Sequence, residues 1–236
     1  MKRDAVAWNK SKAATSTQKA SDYSKKMAIT TRNRIASTSM NSTHELLYKS
    51  TRELHRTLDQ SSVLTRLLSP DLTRDQYILA LSSLYQAIKQ VELALEQYEK
   101  PLLPVNSFRY QHRADFLATD LTSLGIELSP TDLGATPTIS TTADYLGVCY
   151  VLEGASLGSA HIARYIESQH PEFSRLAFRY WAFQQKHVEN WPIFLSKLAS
   201  LDSDASLQKK AIDSATTIFE IFIEQMHDNS NAKWHY

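Results

Sequence analysis

His55 is the histidine whose neighbours could make it a metal ligand. Thr51 precedes it by four residues and Asp59 follows it by four, so all three share one helical face beside Leu54 and Leu58. A carboxylate one turn away accepts a ring N–H, which fixes the tautomer and makes the other nitrogen a better donor to a metal. Taken alone, the same spacing is commoner in solvated helix histidines. The second unusual stretch is YLGVCYVLEGASLGSAHIARYI, residues 145 to 166, which holds three of the chain's five glycines, Gly147, Gly154 and Gly158. A glycine inside a helix costs about 1 kcal/mol relative to alanine, so something must offset it. Gly154 and Gly158 lie one turn apart on one face, where the missing side chains let something approach the backbone. Either a neighbouring helix or a flat ligand satisfies that pattern.

Other constellations carry less chemistry. Glu224 and His227 form a single E-x-x-H, whereas a carboxylate-bridged di-iron site needs two such motifs and two further carboxylates. His161 lies one turn beyond the second glycine of the Gly154/Gly158 pair. Trp181, Phe183, Trp191 and Phe194 read as core. The sequence has no nucleophile elbow, no flavin or nicotinamide fingerprint, and one cysteine, Cys149, which rules out an intrachain disulfide, a cysteine-based zinc site or an iron–sulfur cluster. A single cysteine suits a reducing compartment, and the expected location is cytoplasmic.

These residues need helices to position them, and the patterning supplies helices from residue 42 onward. Leu47, Thr51, Leu54 and Leu58 make one face of a helix from about 43 to 60. Thr73 and Gln76 have the form of a capping box, followed by a stripe through Tyr77, Leu81, Leu84, Ile88, Val91 and Leu95 that Pro101 is expected to stop. A further helix is expected from Phe108 to Leu124, ending at Gly125, then a loop over 126 to 140. An apolar helix from Thr142 to Ser168 follows, ending before Pro171. Two or three more helices complete the chain, with a junction at Trp191-Pro192 and a last stripe from Ile212 to Met226. No sustained strand alternation and no repeat appear. The expected fold is all-α.

Size and charge set the frame. The chain has 236 residues, 42% of them apolar and 22% charged, which fits one ordinary domain with or without a tail. The net charge of +1 divides unevenly. Residues 1 to 39 hold nine Lys or Arg against two acids, leaving 17 bases against 23 acids in residues 40 to 236. We expect a disordered basic tail over 1–39, with an organelle transit peptide or an over-extended start as alternatives. The acidic body over 40–236 has no basic excess for nucleic acid, and no stretch approaches a membrane span.

Three segments in this order resemble one family. LLYKSTRELHRTLD at 46 to 59 is similar to the proximal helix of heme oxygenases, with its Thr-x-x-x-His pattern. YVLEGASLGSAHI at 150 to 162 resembles their distal helix, and YQHRADFLATDLTSLG at 110 to 125 resembles the bacterial, biliverdin-producing branch that includes partners of bacterial phytochromes. The resemblance covers about residues 44 to 226. It implies a single all-α domain with heme sandwiched between the two helices, both cofactor and substrate. His55 would ligate iron, with Thr51 beside it. Gly154, Gly158 and Ser159 would form the distal catalytic surface, and Lys49, Arg113, Arg179 and Lys186 would be candidates for the heme propionates. Dioxygen and electrons from an external reductase, ferredoxin or other reductant would cleave heme to biliverdin, carbon monoxide and ferrous iron. Expected partners are therefore a redox protein and, for the bilin, an accepting phytochrome. Four departures from the family pattern stand out: Ser159 where a second glycine is usual, Ala155 where a serine or an acid is common, Tyr48 where a basic residue often pairs with a propionate, and Tyr180-Trp181 where Tyr-Gly is frequent. Ala155, Ser159 and Tyr48 keep open a non-catalytic heme-binding or heme-sensing protein of the same fold.

Overall fold

A computed structural model describes residues 42–103, 107–128 and 136–227; the expectation about the 1–39 tail lies outside the described residues. The helices are α1 (Thr43–Asp59), α2 (Ser62–Arg66), α3 (Arg74–Leu102), α4 (Ala114–Ser123), α5 (Thr142–Gln169), α6 (Pro171–Leu176), α7 (Arg179–His187), α8 (Trp191–Leu198) and α9 (Ala205–Gln225), with 3-10 turns at Val188–Asn190 and Ala199–Leu201. Among the described residues there is no strand, and no helix is long and apolar enough to cross a membrane. The all-α expectation holds.

The long helices begin where side chains satisfy their first amides. Thr73 and Gln76 close a capping box in both directions, and the whole predicted stripe of α3 from Tyr77 to Leu95 is buried. Thr141 and Asp144 cap α5 the same way. α4 starts at Ala114, six residues later than the sequence suggests. Its upstream amides are claimed by other elements: Tyr110 donates to the Tyr145 hydroxyl (2.9 Å), and Arg113 and Ala114 donate to the Glu92 carboxylate (2.5 and 3.2 Å). At its far end Gly125 takes a φ of +77°, and the Ile126 amide reaches back to the Leu121 carbonyl (3.0 Å), a left-handed termination that glycine makes without strain.

His112 clasps the 110–113 segment to α3. Its Nδ1 lies 3.5 Å from Glu92 and its Nε2 3.3 Å from Glu99, which also accepts from the Tyr145 hydroxyl (2.7 Å). The adjacent Glu92 and Glu99 carboxylates raise the His112 pKa to about 10, against the opposing effect of burial. Burial works against the Glu99 carboxylate, but hydrogen bonds from His112 and Tyr145 outweigh it and hold its pKa below the ordinary value. Below the imidazole's ordinary pKa of about 6.5 both folded and unfolded chains carry the His112 proton, so the clasp contributes fully. From there up to about pH 10 only the folded chain keeps it, and the contribution drains away as pH rises. Urea melts between pH 7 and pH 10 should therefore show a steep loss of stability that is shallower in His112→Gln; parallel slopes would mean that the ring is uncharged.

α5 is the central helix. All of its residues from Tyr145 to Glu153 are buried, whereas after Gly154 burial falls only on Ser156, Ala160, Ala163 and Ile166. The second half therefore has an inner face and a free one. Gly147 marks the crossing with α9: a Cβ there would sit 2.2 Å from the Ala211 carbonyl oxygen, a backbone atom that cannot swing aside. Gly147→Ala should cost about 1 to 3 kcal/mol in urea unfolding, because overpacking outweighs the helix propensity gained. A neutral or stabilising result would mean that the two helices cross less closely.

Candidate functional site

α1 packs Leu47, Thr51, Leu54 and Leu58 inward and lies along α9. Four residues turn a helix by 400°, so the Thr51, His55, Asp59 series drifts across the face, and the structure divides it. Thr51 is buried, donates to the Leu47 carbonyl (2.8 Å) and hydrogen-bonds Tyr150 of α5. His55 has 61% of its side chain exposed, with its ring edge near Phe219 and its Nδ1 3.0 Å from Asp59 Oδ2. A carboxylate can only accept, so Nδ1 carries the proton and the neutral ring keeps an Nε2 lone pair available. The Asp59 hydrogen bond raises the His55 pKa, burial opposes it, and exposure to water screens the pair.

Beyond their junction at Thr51 and Tyr150, His55 and Gly154 each lie one turn further along their own helices. The two glycines are not equivalent there. A Cβ at Gly154 would meet the Trp191 indole at 3.6 Å, while one at Gly158 would meet nothing within 4 Å. Gly158 and the neighbouring Ala155 and Leu157 are exposed on the free face of α5. The three glycines thus have three surroundings: a helix crossing that excludes a Cβ at Gly147, an indole at van der Waals distance at Gly154, and open space at Gly158. Among the described residues no group of three His, Cys, Asp or Glu could hold a bare metal ion.

The inner face of α5 carries a buried polar network instead. The structure corrects the propionate role expected for Arg113. Its guanidinium is 1% exposed and engages Glu153 (2.6 Å), the Leu152 carbonyl (2.7 Å), Gln184 (3.1 Å) and Ser156 (3.2 Å). Glu153 also pairs with His187 Nε2 (2.7 Å), and Gln184 donates to the Tyr180 hydroxyl (2.8 Å). Moving Arg113 to a ligand would strand a buried carboxylate, a loss of about 3 to 5 kcal/mol, so this guanidinium is structural. Glu153 is the residue that could have betrayed the network: a carboxylate amid nine consecutive buried positions needs a buried partner.

The other expected contacts are dispersed. Ser159 is half-buried and hydrogen-bonds Tyr180 on α7, the helix packed along α5. Arg179 and Lys186 are exposed on α7, with the Arg179 amide held by Asp120 (2.9 Å). Lys49 is exposed and paired with Glu45 (2.8 Å), a helix-surface pair worth only about 0.3 to 0.5 kcal/mol and cheap to break. Tyr48 is 58% exposed. His161 is half-buried, with burial and then the nearby Arg164 lowering its pKa. His44 packs between Tyr150 and Trp191, and burial lowers its pKa too, against the charges of Asp202 and Glu45.

A family model described as heme oxygenase matches residues 41–228. A protein of Xanthomonas campestris pv. campestris (strain 8004) named heme oxygenase is 29% identical over 117 residues, which cover 50% of this chain and 68% of that protein.

Proposed function

We propose, from the premise that the chain belongs to the heme oxygenase family, that it takes heme as its substrate through His55 and cleaves it to biliverdin, carbon monoxide and ferrous iron, using dioxygen and electrons from an external donor. The observation that carries this reading is the open backbone at Gly158, a place in a central helix where no protein neighbour accounts for the cost of glycine. The donor chemistry fits heme as well: one available imidazole nitrogen with its partner nitrogen engaged would suit an iron whose other nitrogen ligands come from a macrocycle.

When bound, the heme supplies the oxygen-activating chemistry, and the protein's work is orientation and proton handling. His55 Nε2 would hold the iron, with Asp59 keeping the ring in that tautomer. Gly158 would let backbone approach the ring face without a side chain between, and Ala155 beside it would present only a methyl group. Behind them the Arg113, Glu153, Ser156 and Gln184 network keeps this stretch of α5 in one shape. Ser159 Oγ and the Tyr180 hydroxyl are the hydroxyls beside Gly158 that hold a proton in this reading. Arg179 and Lys186 remain candidates for the propionates, and Lys49 joins them once it leaves Glu45. A ferredoxin or reductase supplies the electrons, and a phytochrome is a candidate acceptor of the bilin. Ala155, which brings no polar atom to the glycine face, and Tyr48, which brings no cation, favour a second reading in which the same site binds heme without cleaving it.

Hemin titration tests the site itself. A Soret band that saturates at one equivalent, with the character of an imidazole ligand, is the expected result; no band would remove both the enzyme and the binder.

A further inference from the structure

We propose that Trp191 is a stop that fixes where along α5 a flat ligand settles, covering Gly154 so that the ring rests on the Gly158 end of the glycine face. The inference rests on the heme reading above and adds a specificity-determining residue to it. Gly154 and Gly158 have the same spacing signature, yet the Cη2 and Cζ3 edge of the indole lies 3.6 and 3.7 Å from a Cβ built at Gly154, and nothing comparable covers Gly158. A ring spanning both glycines would therefore collide with the indole.

That indole is held from several sides. It stacks on the buried Phe194 (5.6 Å between centroids, 27° between planes), meets the His44 ring edge-on (5.8 Å) and leans on Tyr150 (5.9 Å). Its backbone opens α8, where its amide bonds the Val188 carbonyl and Pro192 restrains the next residue. Swinging the indole away from Gly154 would break these aromatic contacts together, so the wall is rigid. With the iron held at His55, the meso carbon brought to the reacting site would depend on how the ring is turned and seated against α5, so a fixed wall at one end would select among the meso positions.

The test compares wild type with Trp191→Phe and Trp191→Leu. Phenylalanine removes the benzo edge that lies over Gly154 while keeping an aromatic ring against Phe194; leucine removes the plane altogether and serves as the second variant. Each protein is loaded with hemin and read by induced circular dichroism in the Soret region, then by chromatography of the product isomers. Loading at one equivalent should persist, the induced signal should change in both variants, and the minor-to-major isomer ratio should rise about tenfold, the discrimination an apolar wall supplies. For a protein that loads hemin without cleaving it, the dichroism alone decides. Wild-type signals in both variants overturn the stop and leave the heme reading standing, whereas a wild-type protein that takes up no hemin overturns both.

Discussion

His55→Ala is expected to lose the imidazole-ligated spectrum of the hemin-loaded protein, and added imidazole is expected to restore most of it by entering the cavity left behind. Affinity for hemin should fall by more than about 100-fold, beyond the 10- to 100-fold typical of losing an outer-shell partner, and Asp59→Asn should fall within that lesser range. The apo protein should change little, within about 0.5 kcal/mol, because the His55 side chain lies mostly in water and packs only at the edge of Phe219. An unchanged spectrum in the alanine variant would move the ligand elsewhere. His44, whose ring lies between Tyr150 and Trp191, is then the first candidate.

The second large effect is expected at Gly158. A leucine there meets no neighbour at its Cβ and is the better helix former by up to about 1 kcal/mol, so the apo protein should melt at the same or a higher temperature. Hemin affinity should fall at least tenfold, because a branched side chain then stands where the ring face must lie. The opposite pattern, a destabilised apo protein whose folded fraction binds hemin normally, would place the ligand elsewhere. Gly154→Leu is a poorer probe, since its side chain would press on Trp191 and disturb apo packing and ligand access together.

How much of this was legible in the sequence depends on how far each signal reaches along the chain. The capping box of Thr73 and Gln76 and the left-handed stop at Gly125 are local, and the structure places both as expected. The start of α4 is not local: Glu92 and Tyr145 take the amides that would have begun it at Phe108. The same holds for the site. Spacing places Thr51 and His55 on one face, but only α9 and Tyr150 decide that one is buried and the other open. Spacing also treats Gly154 and Gly158 alike, while Trp191, distant in sequence, lies over the first and nothing lies over the second. Arg113 drew attention as a free cation because Glu153, forty residues later, is invisible to any local window.

The most direct test of the central claim is aerobic reduction of the hemin-loaded protein. With ascorbate or a ferredoxin and reductase pair, the Soret band should decay while a biliverdin absorbance rises and carbon monoxide is released, about one of each per heme consumed. A Soret band that persists through reduction in air, with no bilin and no carbon monoxide, would contradict the claim and leave a heme-binding protein in its place.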